Sequence, residues 1–425
     1  MSLSEKVDQE IKSYEDNVQS FLTGKITPEA FQRIRLQNGV YGQRQDGVQM
    51  IRIKIPMGIV NATQIECIAE LAETIAHNNA HITTRQDLQI HYVDVKNTPA
   101  LIRKLESIGL TTREACGNTV RNVTASPSAG VDPGEAFDVT PYAQAMMEHL
   151  LRNPICQNLP RKFKIAFDGG GVMTAYPMLH DLGLVAKIQN GKRGFEVFVG
   201  GGLGSSPRIA KLLDPFMDAA ELIPWAQAVI RVFDRLGERK VRSKARMKFV
   251  IDKVGFEEFK RLVAQERSEL EVDPTWNDYL NHLEEWDEKP PVVDETKIPP
   301  LPKGLGDFEG EAPSGSAGGG GDASPYNDWK KTNVWEQKQK GYSMVEIRLT
   351  TGDMSPSQMR TLADISRRYC GENIRLMVHQ NILIRWVRNQ DLPAIYQELK
   401  AINFVKKMRR RSMILRLVLE QTRVV

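Results

Sequence analysis

The chain has 425 residues, 41% of them hydrophobic and 26% charged, with a formal net charge of +4. That length supports two or three domains with sizeable cores, and the balance excludes a fibre or a disordered chain. The charge is local: residues 405–425 set Lys406, Lys407, Arg409, Arg410, Arg411, Arg416 and Arg423 against Glu420, a surplus of +6, so the remainder carries 4 − 6 = −2 and lacks the basic surface of a nucleic-acid binder.

In chain order, residues 1–46 read as a helical extension. The first thirty are charged and contain no apolar run, which argues against a secretory signal. No stretch reaches the roughly 18 apolar residues of a membrane span, so the expected location is the cytoplasm. Residues 47–111 read strand, helix, strand, helix. Met50–Ile55 alternates apolar with basic residues, Ala62–Ala76 puts Ile65, Ile68, Ala72 and Ile75 on one face, Leu88–Val93 alternates again, and Pro99–Ile108 is amphipathic. Residues 112–290 form a second, mixed α/β region. The Pro- and Gly-rich stretch 291–340 reads as a linker, and 341–404 closes the ordinary sequence.

A shift of 294 positions lays residues 47–110 on 341–404 without a gap. Gly47, Met50, Ile53, Gly58, Gln64 and Gln86 then meet Gly341, Met344, Ile347, Gly352, Gln358 and Gln380. Two copies that far apart predict a pseudo-twofold pair of small α+β half-domains, each with helices on one side of a sheet.

Polar chemistry gathers in the first copy and the middle region. Arg52 and Lys54 leave one face of a strand, and the run Thr84–His91 is read as placing Arg85, Asp87, Gln89 and His91 together. Next come Cys116–Pro127, with Arg121 and Asn122, and Leu159-Pro160-Arg161-Lys162-Phe163-Lys164, in which Lys162 and Lys164 share a face opposite Arg161. Singly, each cluster reads as a solvated strand face, His91 as a structural hydrogen-bond partner and Cys116 as a small buried residue. Together, many Arg and Lys with few carboxylates make a site for a polyanion. The glycine run Val199–Gly204 by itself reads as a turn.

Taken in order, Arg52-x-Lys54-x-Pro56-x-Gly58, Thr84-Arg85-Gln86, Arg121-Asn122-Val123, Leu159–Lys164 and Gly200-Gly201-Gly202-Leu203 resemble the siroheme-dependent sulfite and nitrite reductases over residues 38–404. The resemblance implies duplicated ferredoxin-like half-domains plus a mixed α/β siroheme and iron–sulfur domain whose second copy is missing. It implies siroheme, a tetrapyrrole with eight carboxylates, held by Arg85, Gln89, Arg121, Asn122, Arg161 and Arg246. Arg52, Arg121, Lys162 and Lys164 would line the open face of the iron, where sulfite or nitrite takes six electrons. Lysine at 164, where nitrite reductases of the family often carry asparagine, points to sulfite. A ferredoxin or a flavoprotein subunit is the implied electron donor. No nucleic-acid or membrane partner is expected, and the chain is read as a monomer.

The family's [4Fe–4S] cluster is held by cysteines in C-x5-C and C-x3-C motifs. The four cysteines here, Cys67, Cys116, Cys156 and Cys370, form neither, so no metal ligands are assigned. A back-translation of Ile414–Val424, preceded by the ATG of Met413 and read in the neighbouring frame, gives Asp-Ile-Thr-Ala-Cys-Pro-Gly-Thr-Asp-Thr-Cys, a C-x5-C motif. The expectation is a frameshift between about Phe404 and Met413 that replaces the cluster-binding end with a basic tail and leaves an incomplete, inactive form. Two other readings are a non-catalytic siroheme binder and a nucleic-acid module acting through the tail.

Overall fold

The computed structural model describes residues 3–171, 174–271, 273–299 and 324–406. The order is α1 (Leu3–Leu22), α2 (Pro28–Gln37), β1 (Val40–Gly42), β2 (Val48–Ile53), β3 (Ile59–Val60), α3 (Ala62–Ile75), β4 (Ala80–Ile82), β5 (Leu88–Asp94) and α4 (Thr98–Glu106). The middle region holds β6 (Thr124–Ala125), α5 (Thr140–Leu150), β7 (Ile165–Asp168), β8 (Leu182–Gln189), β9 (Lys192–Val199), β10 (Lys211–Asp218), α6 (Leu222–Leu236), α7 (Met247–Val254) and α8 (Phe256–Glu269). It is followed by α9 (Pro325–Asn333), β11 (Val334–Glu336), β12 (Tyr342–Ile347), β13 (Asp353–Met354), α10 (Pro356–Cys370), β14 (Ile374–Leu376), β15 (Ile382–Arg388) and α11 (Leu392–Ala401).

The duplication survives in atomic detail. Asn61 caps α3 by accepting from Gln64 N at 2.9 Å while Gln64 Oε1 accepts from Asn61 N at 3.1 Å. Ser355 and Gln358 repeat this box at the start of α10. Both glutamines then donate Nε2 to the carbonyl that ends the half-domain, Gln64 to Ile108 at 3.2 Å and Gln358 to Ile402 at 3.0 Å. The β2–β5 and β12–β15 ladders even slip at equivalent points, between Gln49 and Ile51 and between Ser343 and Val345.

The first sheet runs β1-β2-β5-β4-β13 and the second β11-β12-β15-β14-β3. The two-residue strands β3 and β13, equivalent under the 294-residue shift, are therefore exchanged: each half lends its strand to the other's sheet. Gln86 seals one junction by donating to Leu376 O at 2.8 Å, and Gln380 seals the other by donating to Ile82 O at 2.9 Å. Both adopt positive φ, 59° and 65°, a conformation that non-glycine residues hold only when the surroundings require it. Helices α3 and α10 pack together, and one hydrophobic core spans both halves, from Ile51, Ile65 and Leu88 to Val345, Met359 and Ile384.

The middle sheet runs β10-β9-β8-β7-β6, parallel from β6 to β8 and antiparallel from β8 to β10. Helices α5 to α8 cover it through a second core that includes Tyr142, Phe163, Phe195 and Phe233. The short edge strand β6 meets Gln86, whose amide exchanges two 3.0 Å bonds with the backbone of Ala125. One glutamine side chain therefore ties the middle sheet to both half-domains.

Two expectations differ from the fold. The run Thr84–His91 is not one strand, because the turn with Gln86 at positive φ precedes β5, so Arg85 leaves the backbone in another direction from Gln89 and His91. The expected linker 291–340 also contains α9 and β11, which pairs with β12 as β1 pairs with β2. Upstream of it, residues 287–299 lie across the second half-domain. Glu288 there accepts Arg375 Nη2 at 3.1 Å, Trp386 Nε1 at 2.6 Å and Arg385. Gly371, at φ 55°, leaves room for Pro291, whose Cβ would stand 2.4 Å from an added Cβ. The basic tail beyond Lys406, the expected frameshift and any second copy of the middle domain lie outside the described residues.

Candidate functional site

Where β2, the turn before β5 and the middle domain meet, basic side chains converge. Ile51 and Ile53 point into the core, so Arg52 points the opposite way. Its guanidinium lies 5.4 Å from the Tyr41 ring centroid. The Gln89 amide, with its oxygen turned toward that guanidinium, accepts from Arg52 Nε at 2.8 Å. Arg121 sits on the extended segment that docks on Phe163, its N–H donating to Phe163 O at 2.8 Å. Its side chain donates to Ala115 O at 2.9 Å and Gly117 O at 3.0 Å. Phe163 is fully buried, which turns Lys162 and Lys164 on either side of it toward the cluster.

Arg85 is the most enclosed of these residues at 5% exposure. One of its nitrogens, Nη2, donates to Ile165 O at 2.9 Å and to Asn122 O, whereas Nε and Nη1 are buried with no partner among the described residues. Asn122 acts as a brace. Its Nδ2 donates to Ile55 O at 2.6 Å and to Arg85 O at 2.9 Å, holding the turn, and its Oδ1 has no protein partner. Arg246, at the N-terminus of α7, is held by Asp181, with Nε 3.2 Å and Nη2 2.7 Å from the carboxylate. The same carboxylate, fully buried, accepts the backbone N–H of Lys164 at 2.9 Å.

The electrostatics confirm one cluster. Burial lowers Lys164 to about 7, helped by Arg85, Arg246 and Lys162 and opposed by Asp181. Burial also lowers Lys162 to about 8, with Arg121, Arg246, Arg161 and Arg52 adding to the effect. Arg161 is lowered by burial and then by Arg242 and Arg121. Burial brings Arg85 down to about 10 against the pull of Asp87 and Asp181. The sequence-predicted Arg52, Arg85, Gln89, Arg121, Asn122, Arg161, Lys162, Lys164 and Arg246 are thus brought together, with Asn122 facing the backbone and Arg246 already paired.

Sequence reasoning missed Asp181 and His180, which precede β8 without any motif to mark them. His180 is buried with Nδ1 2.8 Å from Tyr176 O, and burial beside Arg85 and Lys164 keeps its ring neutral. The glycine run serves packing: a Cβ on Gly201 would stand 2.3 Å from Met178 O, and one on Gly202 3.1 Å from Arg246 Nη2. The loop is pinned by Lys248, whose Nζ donates to Ser206 O at 2.5 Å.

The cluster suits a multiply charged carboxylate ligand such as siroheme. It combines many cations and two unsatisfied guanidinium nitrogens with few opposing carboxylates, among them Asp87, Asp181 and Glu114. The cysteines do not suit an iron–sulfur cluster. Cys67 and Cys370 lie in the half-domain core, Cys156 in the middle core, and Cys116 beside Arg52 and Arg121, where burial pushes its thiol up to about 11. Among the described residues no three His, Cys, Asp or Glu side chains gather at metal-binding distance. Likewise, no helix among them is long and apolar enough to cross a membrane.

The lowered ammonium of Lys164 leads to a direct test. In competitive acylation followed by peptide mass spectrometry, Lys164 is expected to become reactive with a midpoint near pH 7. A Lys164 midpoint near 10 would mean that the cluster does not hold it in a desolvated, cationic setting.

Comparison with known proteins agrees with this geometry. Residues 116–271 match the family profile described as the nitrite and sulphite reductase 4Fe-4S domain. Residues 41–108 and 335–402 each match the nitrite/sulfite reductase ferredoxin-like half domain. Over 85% of its length the chain is 30% identical to a chloroplastic ferredoxin–nitrite reductase of Oryza sativa, of which it covers 55%. It is 29% identical over 82% of its length to a ferredoxin–nitrite reductase of Synechococcus elongatus, covering 61% of that protein. A sulfite reductase [ferredoxin] of Mycolicibacterium paratuberculosis matches at 30% over 54% of the chain, covering 44% of the relative. The chain thus spans little more than half the length of these relatives. The solved structure of the Mycobacterium tuberculosis NirA protein shares the fold, with a TM-score of 0.69 at 24% identity, over 88% of this chain and 64% of that one. With both half-domains and the domain between them matched in the expected order, the chain belongs to the nitrite and sulfite reductase family.

Proposed function

We propose that this chain binds siroheme in the cation cluster and presents a small oxyanion to it, as the siroheme-holding part of a sulfite reductase. The observation that carries this reading is the buried Arg85 guanidinium, whose Nε and Nη1 have no acceptor among the described residues inside a cluster of like charges. Carboxylates of the cofactor would satisfy Arg85, with Arg121, Arg161 and Gln89 alongside and Asn122 and Asp181 bracing the turn and Arg246. When bound, siroheme, coupled in this family to a [4Fe–4S] cluster, supplies the electrons for a six-electron reduction.

The chain's own residues bind the substrate and move protons. Arg52, Arg121, Lys162 and Lys164 would hold sulfite by charge-assisted hydrogen bonds. Lys164, near 7, can give up a proton and regain it at neutral pH, as a general acid requires. Two lysines flanking one buried phenylalanine suit a substrate that can carry two charges. A second reading, nitrite, is favoured by the partly neutral Lys164 and by the nitrite reductases among the relatives. A ferredoxin, named in those relatives, is the proposed electron donor. The described residues provide no cluster ligands, so no step is assigned to the cluster.

Titration of the purified chain with siroheme tests the proposal. A saturable change in the visible absorption of siroheme at about one equivalent is expected, with sulfite perturbing the bound spectrum more than nitrite. A spectrum that stays that of free siroheme would overturn it.

A further inference from the structure

Asp87 has no part in the reading above, yet it lies inside the cluster at 2% exposure. One carboxylate oxygen accepts the backbone N–H of Ile55 at 3.4 Å. Arg52, Arg85 and Lys54 act on it most strongly, Cys116 lies near it, and Glu114 acts on Lys54 as Asp87 does. The duplication supplies an internal control. The shift that superposes the two copies puts Asn381 on Asp87 and Leu349 on Ile55. In the second copy Asn381 Oδ1 accepts the Leu349 N–H at 3.2 Å, the same bond made by a neutral amide. Shaping this turn therefore requires a carbonyl oxygen and no charge. The second copy keeps one of these cations, with Arg348 where the first has Lys54, and loses the other two, because Glu346 and His379 stand where the first has Arg52 and Arg85. Negative charge at this turn goes with Arg52 and Arg85, not with the fold.

We infer that Asp87 is a positioning residue that sets the charge of the anion site: ionised, it takes up part of the charge of Arg52, Arg85 and Lys54, and protonated, it releases them to an entering anion. The inference rests on the proposed anion binding and deepens it. Burial raises the carboxyl to about 6 while Arg52, Arg85 and Lys54 oppose the rise, so the change of state falls close to neutral pH. Linkage requires that an anion which favours the protonated form bind more tightly as pH falls through this range.

The test compares the full chain with D87N, using inorganic sulfate as the probe because it does not titrate in this range. Sulfate affinity is measured by calorimetry near pH 7.5 and near pH 5 at constant ionic strength. Lys162 and Lys164 titrate in both proteins and cancel in the comparison. Near pH 7.5 D87N is expected to bind sulfate about tenfold more tightly, the equivalent of one pKa unit of coupling. Near pH 5 the two proteins should bind alike, a convergence that a merely structural role would not produce. Without sulfate D87N should be no less stable than wild type, as Asn381 in the second copy implies. Sulfate binding that is equal in both proteins near pH 7.5, or a D87N that unfolds more easily, overturns the role of Asp87 and leaves the anion site standing. Absence of sulfate binding in either protein overturns both.

Discussion

Replacing Arg85 with methionine is expected to weaken siroheme binding by about 2–5 kcal/mol, a factor of roughly thirty to several thousand in Kd. The magnitude follows from position. Arg85 is buried and desolvation has already lowered its guanidinium to about 10, so the protein keeps a charge there at a cost. Two of its nitrogens have no acceptor among the described residues, and a carboxylate reaching them would form charge-assisted bonds in a low-dielectric setting. Methionine keeps much of the volume and removes every donor. The fold should lose less, about 1–3 kcal/mol, chiefly for the Asn122 carbonyl that loses Arg85, since the Ile165 carbonyl keeps the Thr124 hydroxyl. Siroheme titration followed by absorbance, alongside a urea melt of the same preparation, separates the two losses. R85M that binds siroheme like wild type would reduce Arg85 to a brace for the turn. R85K, which restores charge without the planar fork, should recover only part of the affinity.

The second large effect concerns stability, away from the site. Truncation of Glu288 to alanine is expected to destabilise the protein by about 3–5 kcal/mol, because it leaves the fully buried Arg385 and the nearly buried Arg375 without their carboxylate. Burial pushes the Glu288 carboxyl up, but Arg385, Arg375 and the Trp386 indole outweigh it and hold it below the ordinary value. A carboxyl lowered in the folded state contributes stability that is present above its unfolded pKa of about 4.5 and is lost as pH falls through the folded value. Urea midpoints measured from neutral pH downward should therefore show a decline for the wild type at the acid end, with this component missing from E288A. Equal midpoints for the two proteins at neutral pH would show that residues 287–299 do not latch the second half-domain.

Much of this protein is legible without coordinates because its signals are local or repeated. The alternation in β2 and the spacing of Ile65, Ile68 and Ala72 report which face is buried, since side-chain direction follows backbone period. The duplication was visible as paired residues, and the structure gives those pairs physical work: Gln64 and Gln358 cap helices, and Gln86 and Gln380 cross between halves. The cationic residues were legible as a class because their excess over nearby carboxylates needs only counting. Their roles were less so: Asn122 faces the backbone, and Arg246 spends its charge on Asp181, a residue with no motif.

The order of residues is enough for the local choices: which segments coil or extend, where each turns, that two halves are copies, and which charges the chain carries. Tertiary structure alone decided the exchange of β3 and β13, the burial that lowers Lys164, and the meeting of Arg52, Arg85 and Lys162 from three separate segments. The exchange pairs Asp353 with His81 and Ile374 with Val60, hundreds of positions apart in the chain and beyond the reach of any local pattern. A pKa depends on solvent exclusion and on neighbours in space, and a sequence lists neighbours only along the chain.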